Sequence, residues 1–181
     1  MDKLDPYTGK RTLIIGDVNT GKTARSARIL KLFINKGYAK KIAILDLGTD
    51  PVQGIGGKIQ PPPGEPLLYL TGIISPPRLM GKNTNHTLHL ANENAKTIEK
   101  MFVKLRQEKR EVLFVNDATL YLQAGRLNRF IEILDTASTQ VINAYYGNAF
   151  IDSELTRREK QLTEDLMKLC DTVITTPNGA M

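Results

Sequence analysis

Between Gly16 and Thr23 the chain reads Gly-Asp-Val-Asn-Thr-Gly-Lys-Thr, directly behind the apolar run Thr12-Leu13-Ile14-Ile15. This is the G-x-x-x-x-G-K-[ST] pattern of a phosphate-binding loop, and its chemistry demands a strand before it and a helix after it. Only glycine lets a backbone turn this tightly and bring successive N–H groups close to a polyphosphate, which assigns places to Gly16 and Gly21. Lys22 then reaches the terminal phosphates as a mobile point charge, and the Thr23 hydroxyl becomes a magnesium ligand. The following helix adds the positive end of its dipole. The expected nucleotide-contacting stretch is Gly16, Asp17, Val18, Asn19, Thr20, Gly21, Lys22, Thr23 and Ala24. A chance match in a glycine-rich turn is the competing reading. Context argues against it, because Ala24, Ala27, Leu30 and Ile34 recur with the spacing of one helix face.

The rest of the chain alternates strand-like and helix-like segments. Short apolar, β-branched runs lie at residues 11–16, 41–47, 111–116, 139–144 and 171–176. Helical patterns lie at about residues 21–35, 90–108, 125–137 and 153–169. This alternation predicts a three-layer α/β/α phosphate-loop fold with a mostly parallel central sheet, made as a single nucleotide-binding domain over residues 1–181. Ligands in such sheets bind beyond the carboxyl ends of the strands, so Asp46, Asp117, Tyr145 and Tyr146 stand at expected site positions. The run Val112-Leu113-Phe114-Val115-Asn116-Asp117 ends in an acid where phosphate-loop proteins place a second, magnesium-holding carboxylate, although Asp also suits the turn after a strand. No Glu follows Asp117, which argues against simple ATP hydrolysis driven by an adjacent Glu.

The segment Asp46-Leu47-Gly48-Thr49-Asp50-Pro51-Val52-Gln53-Gly54 is followed by Pro61-Pro62-Pro63-Gly64, by Leu67-Leu68-Tyr69-Leu70-Thr71-Gly72 and by Ser75-Pro76. In this order the pieces resemble the polynucleotide 5'-hydroxyl kinases and the RNA-kinase subunit of the pre-mRNA cleavage machinery, over about residues 11–150. The resemblance implies ATP with magnesium as cofactors and a nucleic-acid 5' end as phosphate acceptor. It makes Lys22 the phosphate clamp and Thr23 a metal ligand. Asp46 becomes the carboxylate that coordinates magnesium or accepts the hydroxyl proton, with Asp50 and Gln53 as shifted companions. It also puts Tyr121 near substrate and makes Arg157 and Arg158 candidate lid arginines, although their run of alternating charges also reads as an exposed helix face. The chain departs from the family's pattern in having Gly48 at the second Asp place, no tryptophan, and Asp117 where the family has threonine.

Two function classes stay open. One is a kinase that moves the γ-phosphate of ATP onto a hydroxyl; the other is a regulatory nucleotide-binding ATPase or GTPase switch acting through a protein partner. Asn35-Lys36-Gly37-Tyr38 lacks the final Asp of a guanine-reading Asn-Lys-x-Asp, so ATP is expected, with GTP not excluded. No apolar stretch approaches the roughly 18 residues of a membrane span, and the charged start lacks a signal peptide's apolar core, so a cytoplasmic protein without membrane partners is expected. The net charge of +6 is weak support for a nucleic-acid partner. Arg25 and Arg28 read as solvent-facing helix positions, and the run Lys104 to Arg110 as a helix C-terminus enriched in cations, with an RNA groove as the competing reading. His86 and His89 lack the further ligands of a zinc site and read as a polar loop entering a helix. Cys170 reads as a buried structural thiol, and Tyr145 and Tyr146 as packing or base-stacking rings.

Overall fold

In a computed structural model that describes residues 4 to 177, the alternating segments form a six-stranded sheet in the order β3-β2-β4-β5-β1-β6. The strands are β1 (Arg11–Gly16), β2 (Ile42–Asp46), β3 (Leu68–Thr71), β4 (Val112–Asn116), β5 (Thr139–Tyr145) and β6 (Thr172–Thr175), and every pairing is parallel. The helices are α1 (Lys22–Asn35), α2 (Pro77–Met80), α3 (Thr84–Arg106), α4 (Thr119–Leu122), α5 (Leu127–Leu134) and α6 (Glu154–Lys168).

The near-continuous apolar strands follow from burial on both faces. Ile14, Ile42, Ile44, Val112, Phe114 and Val141 point to one side, against Ile29, Leu30 and Phe33 of α1. Their neighbours Leu13, Ile15, Ala43, Leu45, Leu113, Val115, Ile142 and Ala144 point to the other side, against α3, α4, α5 and α6. The result is the expected three-layer α/β/α arrangement. Because α1 leaves β1 over one face while α6 follows β5 over the other, the connections leaving these adjacent strands diverge beyond their carboxyl ends. That is the switch point where open α/β sheets form a ligand crevice.

Several boundaries differ from the sequence reading for local reasons. Residues 39–41 form a single 3-10 turn, so β2 begins at Ile42. Asn83 caps α3, its side chain accepting from His86 N, and the helix therefore starts at Thr84, about two turns earlier than the apolar spacing indicated. His86 and His89 thus lie on helix α3 instead of a loop. The expected helix over residues 125–137 is present as the shorter α5, and an additional single turn, α4, follows β4. Tyr121 is fully buried, stacked among Phe102 and Phe130, with its hydroxyl donating to Glu99. The ring is core, away from any substrate position. Cys170 is half-buried, its Sγ donating to Leu166 O, and burial pushes the thiol up to about 11.

Phe102 lies at the centre of the α3–α4–α5 layer and is fully buried. Phe102→Ala is expected to lower the unfolding free energy by about 3–5 kcal/mol, through lost transfer energy plus the cavity left behind. Urea unfolding checks this, and a loss below about 1 kcal/mol would contradict the packing described.

Candidate phosphate-loop site

The segment joining β1 to α1 has the backbone its sequence demands. Gly21 sits at φ +81, in the left-handed region that costs glycine least, and it hands the chain to a helix whose first turn carries no side-chain cap and no acidic residue. The first N–H groups of α1 therefore lack both a capping acceptor and a competing carboxylate, which is the condition for anion binding at a helix start. Gly16 is required for a different reason. A Cβ there would lie 2.1 Å from Thr176 Oγ1 and 2.6 Å from Thr20 Oγ1, displacing the 2.7 Å hydrogen bond between those hydroxyls.

Further tethers fix the loop. Asp17 accepts from Val18 N at 2.7 Å and from Asn148 N at 3.0 Å, tying the segment after β5 to the loop. Lys22 Nζ donates to Asp17 O. Burial pushes the Lys22 ammonium below its ordinary range, and the nearby charges of Asp117 and Asp17 oppose that shift.

The loop forms one wall of a cavity of about 250 Å³. The other walls carry Asp117, Arg78, Gln123, Asn143, Tyr145 and Phe150, with Thr49 and Ile55 to Gly57 from the β2–β3 connection. Asp117 follows β4 at φ +55, a left-handed backbone uncommon for a residue with a side chain. Its amide donates to Asn143 Oδ1 at 2.8 Å. Burial pushes the Asp117 carboxyl above the usual carboxylate range, while Lys22 and Arg78 pull it back. Thr23 Oγ1 donates to Asn116 Oδ1 at 3.2 Å, so the loop threonine sits against the end of β4. Among the described residues no group of three or more His, Cys, Asp or Glu side chains is arranged to hold a metal. A hydroxyl and one carboxylate beside a polyphosphate are nonetheless the sparse oxygen set that magnesium accepts, since it keeps several waters.

The structure gathers only some of the residues that the sequence singled out. Residues 18 to 24 and Asp117 line the cavity. Asp46 does not: it is fully buried, and its carboxylate accepts four hydrogen bonds, from Gly48 N at 3.1 Å, Asn116 Nδ2 at 2.8 Å, Ile59 N at 2.6 Å and Tyr69 OH at 2.8 Å. With its lone pairs taken up in this way, it fastens the β2–β3 connection to the sheet and has none to spare for a metal or a hydroxyl proton. Asp50 is exposed in that connection and does not line the cavity. Arg157 is exposed and paired with Asp152, and Arg158 donates to Gly125 O, so neither reaches the cavity. Tyr146 bonds Glu164 on α6, leaving Tyr145 as the cavity-wall ring.

Arg78, Gln123, Asn143, Phe150 and Glu159 were not singled out from sequence. Arg78 had a signal in the Ser75-Pro76-Pro77 turn, since a proline opening a helix just beyond a strand places the next side chains at the strands' carboxyl edge. Glu159 is buried in α6, where it accepts from Arg78 Nη1 and from Gln123 Nε2, the latter at 2.9 Å. The Gln123 Oε1 atom is buried with no hydrogen-bond partner among the described residues.

Burial raises the Glu159 carboxyl to about 7, with Arg78 and Gln123 opposing the shift. The folded state therefore holds a proton that the unfolded chain, with an ordinary value of 4.5, has released. This contribution is fully present below about pH 4.5 and is lost as pH rises to about 7, amounting to about 3 kcal/mol at most. Glu159→Gln is expected to flatten that part of the stability profile in urea titrations from pH 4.5 to 7.5; wild-type and variant profiles of equal slope would contradict it.

No family model and no curated protein matches the chain. Among solved structures, the chain is similar to the crystal structure of Pif1 helicase from Candida albicans, at 14% sequence identity and a TM-score of 0.39. That match covers 94% of this chain and 36% of the helicase chain. Neither finding reaches the polynucleotide kinases that the motif order resembles. No helix among the described residues is long and apolar enough to cross a membrane.

Proposed function

We propose that the chain binds a nucleoside triphosphate, ATP in preference to GTP, and transfers its γ-phosphate to a hydroxyl acceptor of the polynucleotide 5'-end class. The observation that carries this reading is the convergence of the uncapped start of α1, Lys22 and Asp117 on one cavity at the sheet's switch point. Phosphoryl transfer asks a protein mainly for alignment and charge stabilisation, with little covalent chemistry of its own. The loop amides of residues 18 to 23 bind the polyphosphate, Lys22 neutralises its terminal charge, and the helix dipole adds to both.

Thr23 and Asp117 are the groups that would hold magnesium, which supplies positive charge to the phosphates when bound. In the transfer, the bond from the γ-phosphorus to its bridging oxygen breaks, leaving ADP, as one forms to the acceptor oxygen, whose proton passes to water. Thr119, Gln123 and Asn143 line the same cavity, a polar wall that supports a hydroxyl donor as the second ligand. The net charge of +6 and the motif order support a nucleic-acid end as that donor.

Incubation with γ-labelled ATP, magnesium and a 5'-hydroxyl oligonucleotide tests the proposal. Label is expected on the oligonucleotide, falling about 100-fold or more in Lys22→Ala and in Asp117→Asn, on the scale of losing one charge-stabilising group. Label released only as free phosphate would overturn acceptor transfer in favour of hydrolysis. Transfer undiminished in both variants would overturn the site.

A further inference from the structure

We propose that Arg78 is the residue that meets the γ-phosphate of the bound nucleotide and so distinguishes a triphosphate from a diphosphate. The inference rests on the nucleotide reading above and assigns the terminal-phosphate contact within it. Arg78 belongs to α2, outside the loop, and it lines the same cavity as Lys22 and Asp117. Its charge is felt by Asp117, as is that of Lys22.

The side chain is held before any ligand arrives. Its Nη1 donates to Glu159 Oε1, in a pair where the arginine side chain is 14% exposed and the glutamate 2%. The guanidinium carbon lies 3.8 Å from the centre of the Phe150 ring and 5.1 Å from that of Tyr145. A hydrogen bond to Glu159 on one edge and an aromatic ring across one face restrict the rotamers of a long side chain, so less entropy is lost when it binds. Glu159 is itself anchored by Gln123 Nε2, so α2, α4 and α6 all converge on this one cation.

The pairing also leaves work undone. A guanidinium has five N–H donors, and among the described residues only Nη1 of Arg78 makes a hydrogen bond. A purely structural pin between α2 and α6 needs no such surplus, nor does it need to share a cavity with a second cation. An anion in that cavity is attracted by both cations, and the forked donors of arginine match phosphate oxygens. The terminal phosphate is the one a cation outside the loop can reach, since the loop amides enclose those before it.

Calorimetry with MgATP and with MgADP, on folded wild type, Arg78→Ala, Arg78→Gln and Lys22→Ala, tests this assignment. Wild type is expected to bind MgATP more tightly than MgADP. Arg78→Ala and Arg78→Gln should lose about tenfold or more in MgATP affinity, the scale of one charge-assisted hydrogen bond, with MgADP within about twofold of wild type. Lys22→Ala should weaken both ligands. Arg78 variants that bind both nucleotides as wild type does, or that weaken both equally, would overturn the assignment and leave the nucleotide reading standing. Wild type that takes up neither nucleotide would overturn both. Arg78→Gln keeps a side chain of similar reach and decides the matter if the alanine variant does not fold.

Discussion

The donors left over at the start of α1 govern the arrangement of this molecule. A helix begins with N–H groups that have no partner inside it, and most helices satisfy some of them with a capping side chain. Here Gly21 offers none, no acid occupies the first turn, and the helix starts at the cavity beyond the carboxyl ends of β1 and β5. The protein has kept an electropositive end open and has fixed its shape from outside. Thr20 is tied to Thr176 after β6, and Asp17 to Asn148 after β5. The loop is thus preorganised by the strands on either side of it, so that little reorganisation is left for ligand binding.

A second constraint runs across the strand ends. Thr23 bonds Asn116, Asn116 bonds Asp46, and Asp46 takes the hydroxyl of Tyr69 and the amide of Ile59. Asn143 closes the chain from β5, donating to Asn116 Oδ1 at 2.9 Å and to Ser26 at 3.0 Å. A buried carboxylate is tolerable only when its oxygens are fully matched, and Asp46 meets that condition. The network links the loop to the long β2–β3 connection, whose Gly56 and Gly57 line the cavity. It places Asn116 against Thr23 and leaves the next residue, Asp117, to face Lys22.

The sequence announced most of the fold because buried parallel strands are legible as continuous apolar runs and the loop fixes which strand precedes which helix. Strands β1, β2, β4, β5 and β6 and helices α1 and α6 were readable in this way. What was not readable depended on side chains meeting across the sheet. Asp46 and Asp117 both end apolar strands, and nothing in either segment tells which carboxylate Tyr69, Ile59, Gly48 and Asn116 will saturate. Arg78 and Glu159 are separated by 81 positions, so the pair exists only once α2 and α6 pack at the same edge. Arg157 and Arg158 drew attention as adjacent charges at a helix start, yet the helix periodicity turned Glu159 inward and left both arginines outside.

Amide NMR of the labelled protein titrated with MgATP tests the central claim most directly, because it reads the groups on which the account depends. The account predicts that the largest shifts fall on the backbone N–H resonances of residues 18 to 23, with the N-terminal turn of α1 moving and its C-terminal end unmoved. Shifts confined to other surfaces, or none at millimolar nucleotide on folded protein, would contradict it.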